Sequence, residues 1–396
     1  MAETFHDVLI DYINWRGDLS FQMDPFNEVD NVVLSELVYL DLSKILKPML
    51  KKGPRVRDIY EEIEKKNCYQ LLTATGGNED FIRAAASSNR FGTIRVTNYK
   101  DVFEADRMQF AAAHFELSSQ TSYIAFRGTD NSIIGWREDF MSSFMHMPGQ
   151  QMAVDYVKET MTRDRDYYIG GHSKGGNLAI YAAASLSTAM RRHVLRVFDN
   201  DGPGFCADIY NMDKIIAIDP ILTKIIPEYD VIGQIFRRPL RDVRIVRSSY
   251  SGLLQHDLVS WRVKGPKFLE AETLDPAAKV INDTFDEWIR NADFESRQKF
   301  VKDLFDSFQV GGAVTLDELK LSNMTDIIKS LIGSSEETKE LIHNLQKVYF
   351  QTVTKHASQA IENFAEEKLA MLESYRDEKK KRKEKEAPDT DVSEQP

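Results

Sequence analysis

Asp166-Tyr167-Tyr168-Ile169-Gly170-Gly171-His172-Ser173-Lys174-Gly175-Gly176 runs a short apolar strand into a serine with glycine two residues to either side. The spacing Gly171-x-Ser173-x-Gly175 is that of a nucleophile elbow, a sharp strand-to-helix turn that exposes the serine Oγ. A backbone bent so tightly needs neighbours without bulky side chains, and glycine provides them. The bare pentapeptide arises by chance in about one chain in ten of this length, so context decides its reading. A strand precedes it here, and Asn177-Leu178-Ala179-Ile180-Tyr181-Ala182-Ala183-Ala184 predicts a helix whose first turn, Gly175-Gly176, is small enough to lie close against a sheet.

Working outward, β-prone runs at 93–99, 108–117, 122–126, 167–170, 194–198 and 243–248 are interleaved with predicted helices at 150–161 and 175–190. That alternation predicts an α/β fold with a mainly parallel, doubly wound sheet whose first two or three strands are close enough to be antiparallel. Residues 1–90 read as a mainly helical N-terminal part packed on the sheet, 91–265 as the α/β core, 266–375 as a C-terminal helical extension and 376–396 as a charged, disordered tail. In the extension, Asp275-Pro276 is a helix start, and Thr315-x-x-Glu318 and Ser334-x-x-Glu337 fit capping boxes. A long helix from 335 carries an apolar face that calls for a partner, either the body of the protein or another copy. The apolar segment 209–226 is expected to be a cap over the site or a buried helix pair.

Composition narrows the classes of function. With 396 residues, 42% of them hydrophobic, the chain can build a sizeable core. A net charge of −11 with interspersed signs gives no field to collect nucleic acid or anionic lipid. The basic run 379–383 sits among glutamates and reads as a solvated helix end. Two cysteines, Cys68 and Cys206, form no metal-binding or disulfide framework, and no cofactor motif is present. The N-terminus has no basic, apolar leader, and no run of about eighteen apolar residues occurs, so the expectation is a cytoplasmic protein without stable membrane insertion.

An elbow serine needs a base to take its proton and a carboxylate to orient that base. In the chain order Ser, acid, His, four histidines lie downstream of Ser173. His193 ends the helix behind the elbow, and His343 and His356 fall in the C-terminal helix. His256 lies in a loop just after the last strand, where loops deliver groups to the carboxyl edge of a sheet, and takes the base role. For the acid, Asp230 and Asp201 both precede loops at that edge; Asp230 is preferred, with Asp201 directly after the strand that follows the elbow. The oxyanion donors are the backbone N–H of Lys174 and the Gly128-Thr129 turn at a strand end, which offers an N–H and a hydroxyl.

Phe126-Arg127-Gly128-Thr129-Asp130, Trp136-Arg137-Glu138-Asp139 and Gly171-His172-Ser173-Lys174-Gly175-Gly176 resemble, in residues and spacing, the lipase class three pattern F-R-G-[ST], D/N-W-x-x-D and G-H-S-L-G-G. Asp230-Val231-Ile232-Gly233 is similar to the D-I-V-P that carries the acid in that family. Over about 1–265, including 15–20 and 255–261, the chain resembles a bacterial family of lipase-like α/β-hydrolases. The resemblance implies an α/β-hydrolase fold, Ser173 as nucleophile, Asp230 and His256 completing a triad, and an oxyanion hole of Thr129 and Lys174. Lys174 stands where the pattern has leucine, a cation that would favour anionic substrates, and Gly233 stands where it has proline. The implied activity is cleavage of a small-molecule or lipid carboxylic ester through an acyl-enzyme. The alternatives are a silent hydrolase-fold scaffold that associates through its C-terminal helix, and a thioesterase or acyltransferase on the same triad.

Overall fold

A computed structural model describes residues 8–66 except Asp41 and Pro48, 79–104, 108–128, Arg137, 140–310 and, singly, Lys339 and His343. The long helix expected from 335, the two capping boxes at 315 and 334, and the tail 376–396 lie outside the described residues.

Among the described residues, five α-helices open the chain: α1 (Leu9–Arg16), α2 (Glu28–Leu37), α3 (Val56–Lys66), α4 (Glu79–Ser87) and α5 (Asn89–Gly92). The start of α2 is set by Asn27, whose side chain accepts from Val29 N and Asp30 N. Strands β1 (Arg95–Glu104), β2 (Met108–Glu116) and β3 (Thr121–Phe126) then pair antiparallel in sequence order. Next come α6 (Pro148–Thr160), β4 (Asp166–His172), α7 (Lys174–Ala184), α8 (Thr188–Arg191), β5 (Val194–Asn200), α9 (Met212–Ile216), β6 (Leu222–Pro227) and β7 (Val243–Val246). From β3 to β7 every pairing is parallel, and the seven strands lie side by side in chain order. A two-stranded sheet, β8 (Val263–Lys264) with β9 (Lys267–Phe268), precedes α10 (Pro276–Asn291) and α11 (Phe294–Val310). Asp275 caps α10 through Ala277 N and Ala278 N with Pro276 in the first turn, as its sequence predicts.

This strand order dictates the layers. When each parallel strand is laid beside the last in one direction, right-handed crossovers place every connecting helix on the same face. Alternation along the strands bears this out. Ile124, Phe126, Ile169 and Val197 pack with α6, α7 and α9, whereas Tyr123, Ala125 and Phe198 face α1–α4. The N-terminal helices therefore occupy the face that the crossovers leave bare. The segment 209–226 is not a cap: its last five residues belong to β6, which is buried throughout between β5 and β7. Thr223 and the buried Lys224 interrupt its apolar residues, so neither clean alternation nor a continuous apolar run marks it as a strand.

One buried ion pair ties the N-terminal layer together. Arg90 and Asp30 are both fully buried, and the guanidinium meets the carboxylate twice, at 2.7 Å (Nε) and 2.5 Å (Nη2). The remaining Arg90 donors reach the carbonyls of Leu19, Asp24 and Pro25, the ring centroid of Phe21 lies 4.1 Å from its Cζ, and Tyr12 Oη donates to Asp30 at 2.9 Å. With its hydrogen bonds so fully met the pair is tolerated, but removing one partner strands a charge. Arg90→Met is expected to lose roughly 3–5 kcal/mol in urea denaturation; a loss under about 1 kcal/mol would show that the layer does not depend on the pair.

Candidate active site

The carboxyl ends of three strands are level: Phe126 of β3 pairs with Gly171 of β4, and His172 with Asn200 of β5. Ser173 follows directly, with φ 56° and ψ −124°. A non-glycine residue there stores strain of about 1–3 kcal/mol and persists only where its surroundings hold it. Ser173 N donates to Asn200 O at 2.9 Å, and Ser173 O accepts from Gly176 N at 2.9 Å as α7 begins. The flanking glycines are a matter of space: a Cβ on Gly171 would lie 2.4 Å from Phe126 O, and one on Gly175 2.1 Å from the same oxygen. Below the turn, Asn200 Nδ2 donates to Gly171 O, to Ser35 Oγ and to Asn31 Oδ1, and Asn31 Oδ1 also accepts from Tyr123 Oη at 2.6 Å. Helix α2 thus holds the elbow through a buried polar network.

The base expected from the sequence comes to this edge. His256 ends the single-turn helix Gly252–His256, anchored by Trp261 Nε1 donating to Gln255 O at 2.9 Å and Tyr229 N donating to Gln255 Oε1 at 2.9 Å. Its ring centroid is 4.5 Å from that of His172. His172 Nε2 lies 2.9 Å from His256 O, a carbonyl that only accepts, so Nε2 carries the proton. Burial and the neighbouring His256 hold His172 well below the usual histidine range, leaving it neutral, and Tyr39 Oη donates to its Nδ1 at 2.9 Å. His172 is a strut between α2's end and the His256 loop. Pattern reading passed over it, because it occupies a variable position of the elbow motif.

The carboxylate at the imidazole is Asp201, not Asp230: His256 Nδ1 lies 2.7 Å from Asp201 Oδ2. Asp201 immediately follows β5, itself at φ 57°, with its N–H donating to Ile225 O at 2.8 Å. Asp230 sits directly behind, accepting from Gly233 N at 2.8 Å and Gln234 Nε2 at 2.7 Å. The same Gly233 N–H also reaches Asp201 Oδ1 at 3.1 Å, and the two carboxyls hydrogen-bond to each other. The Lys174 backbone opens α7, but its side chain is buried rather than reaching into solvent beside the site. Thr129, the other expected oxyanion donor, lies outside the described residues, as do Trp136 and Asp139. Gly128 runs beside the elbow, since a Cβ there would lie 2.5 Å from His172 O.

A protein-family model described as Mbeg1-like matches residues 85–306, more than half of the chain. The chain belongs to the Mbeg1-like family, a lipase class three-like family. Among solved structures, it is similar to M37 lipase (16% identity, 53% of this chain and 69% of that one, TM-score 0.31). It is also similar to the Rhizomucor miehei lipase propeptide complex (14% identity, 54% and 73%, TM-score 0.31) and to a fungal lipase–inhibitor complex (15%, 49% and 75%, TM-score 0.28). No curated protein matches it.

In this Mbeg1-like chain the acid end of the site holds more carboxyls than one imidazole requires. Burial pushes Asp201 up to about 6, and pushes Asp230 well above the usual carboxylate range, helped by the negative Asp201 beside it. Asp230 is therefore the member that keeps a proton and donates to Asp201. Asp199 is held apart from the pair by Lys224, whose Nζ is 2.6 Å from Asp199 Oδ2 and also donates to Gly202 O. Because the Asp201 and Asp230 pKa values are raised on folding, the native state binds more protons than the unfolded chain above about pH 4, and stability falls as pH rises through about 6. Asp230→Asn keeps a donor toward Asp201 and removes one titrating carboxyl. Its denaturation midpoint is expected to fall less between about pH 5 and pH 7 than that of the wild type; parallel pH profiles would refute the shared proton.

Proposed function

We propose that the chain is a serine hydrolase that cleaves a carboxylic ester, with Ser173 as nucleophile, His256 as general base and acid, and Asp201 as the carboxylate that orients the imidazole. One observation carries the reading: a serine in strained elbow geometry at the carboxyl edge of the sheet shares that edge with a histidine whose Nδ1 is 2.7 Å from a buried aspartate. An Nδ1–H donated to Asp201 leaves the Nε2 lone pair to take a proton. In the reaction, Ser173 Oγ attacks the ester carbonyl and passes its proton to Nε2. The tetrahedral oxyanion is met by the Lys174 N–H, with the Gly128-Thr129 turn as the second donor. Collapse expels the alcohol, which takes the proton from Nε2; a water, deprotonated by the same nitrogen, then frees the acid and restores Ser173. Asp230, protonated, keeps Asp201 in place rather than touching the imidazole. The Mbeg1-like membership supports a lipase-like hydrolase, and the ester is the finer reading.

Intact-mass analysis after treatment with a fluorophosphonate probe tests it. One stoichiometric adduct is expected on the wild type and none on Ser173→Ala. Labelling of His256→Ala and of Asp201→Ala should slow by roughly a thousandfold or more. Absence of an adduct on folded wild type would overturn the proposal.

A further inference from the structure

A cavity of about 320 Å³ lies on the crossover face of the sheet, over β6 and β7, and neither Ser173 nor His256 lines it. Its origin is topological. Helix α7 covers β4 and β5 on this face, α9 is only five residues long, and no described helix joins β6 to β7. Side chains that should meet a covering helix instead face a space: Leu222 and Ile226 from β6, Val243 and Ile245 from β7, Ile180 from α7 and Ile215 from α9. The volume sits at the lower end of the range for small-molecule sites, roughly 300–1,000 Å³.

The polar lining comprises Gln234, the ion pair of Lys224 with Asp199, which balance each other, and two guanidiniums. Arg237 and Arg238 border the cavity in the loop between β6 and β7. Arg238 Nη2 is buried and finds no acceptor among the described residues, while its Nη1 makes only long contacts of 3.4 Å to Asp219 Oδ1 and to Pro239 O. Asp219 is shared with Arg241 Nε at 3.8 Å, and Arg237 is held by Asp283 at 2.6 Å. Of the two guanidiniums that line the mouth, Arg237 is closely paired while Arg238 is held only by long contacts, and its buried Nη2 donor awaits an anion. A mainly apolar slot whose one internal ion pair is self-balanced, ending in a guanidinium with an unsatisfied donor, fits an unbranched chain with a single anionic head.

We propose that this cavity binds a single-chain carboxylate, a fatty acid of medium length, with its tail over β6 and β7 and its head on Arg238, at a site separate from Ser173. The wall between the two sites includes Gly233 and Gln234, which donate to the Asp201–Asp230 pair and also line the cavity.

Calorimetric titration of full-length Ser173→Ala with decanoate tests this, because no chemistry at Ser173 enters the signal and failure of the hydrolase reading would leave the result unchanged. Saturable one-to-one binding is expected, with acetate and decanol, which lack the tail or the charge, at least tenfold weaker. Adding Arg238→Gln, at the cavity mouth, should weaken decanoate at least tenfold and leave decanol unaffected. Adding Leu222→Trp, which fills the slot, should abolish binding; if that variant does not fold, the Arg238→Gln comparison stands alone. Decanoate bound equally well with and without Arg238, or no saturable binding below its micellar concentration, would overturn the proposal.

Discussion

The φ of 56° at Ser173 is a conformation the residue does not hold by preference, and much of the structure serves to hold it. Two glycines let the turn press against the end of β3, and Asn200 receives the Ser173 N–H while its side chain reaches beneath the turn to Gly171. Asn200 is in turn gripped by Asn31 and Ser35 of α2. A helix near the start of the chain thereby positions a turn 140 residues later, and the Arg90–Asp30 pair keeps that helix in its layer.

The one-directional order of the parallel strands has two consequences. It sends the crossover helices to one face and leaves the other to α1–α4, which is why Tyr39 at the end of α2 can reach His172. It also leaves β6 and β7 thinly covered on the crossover face, where the short α9 does not extend over them and a cavity remains. The same winding therefore builds the support for the elbow and the space behind the acid.

Buried carboxyls crowd the acid end because β5 and β6 both finish there. Asp201 follows Asn200, which is paired with Ile225, and Asp230 lies three residues past the end of β6. Two neighbouring buried carboxyls do not both ionise readily, so one proton is retained between them. Lys224 meets Asp199 directly, and its charge offsets only part of the burial that raises Asp201 and Asp230.

How much of this was legible follows from what kind of information each feature needs. The elbow, the strands β2 to β5, the Asp275 cap and His256 at a loop after β7 could be read from spacing, alternation and residue type, since these are properties of neighbouring residues. The strand β6 was not, because Thr223 and a lysine, Lys224, that is buried only by virtue of its pairing with the distant Asp199, break the pattern that marks a strand. The partner of His256 was read as Asp230 and is Asp201: both precede loops at the same sheet edge, and which one meets Nδ1 depends on strand register and on the turn that Gly233 makes behind them. His172 as a strut, the network under Asn200 and the cavity depend on groups far apart in the chain. By itself, then, the sequence determined the elbow and the strand–helix rhythm, which are local; the tertiary structure decided which acid touches the imidazole and where space is left, because those are distances between separate elements.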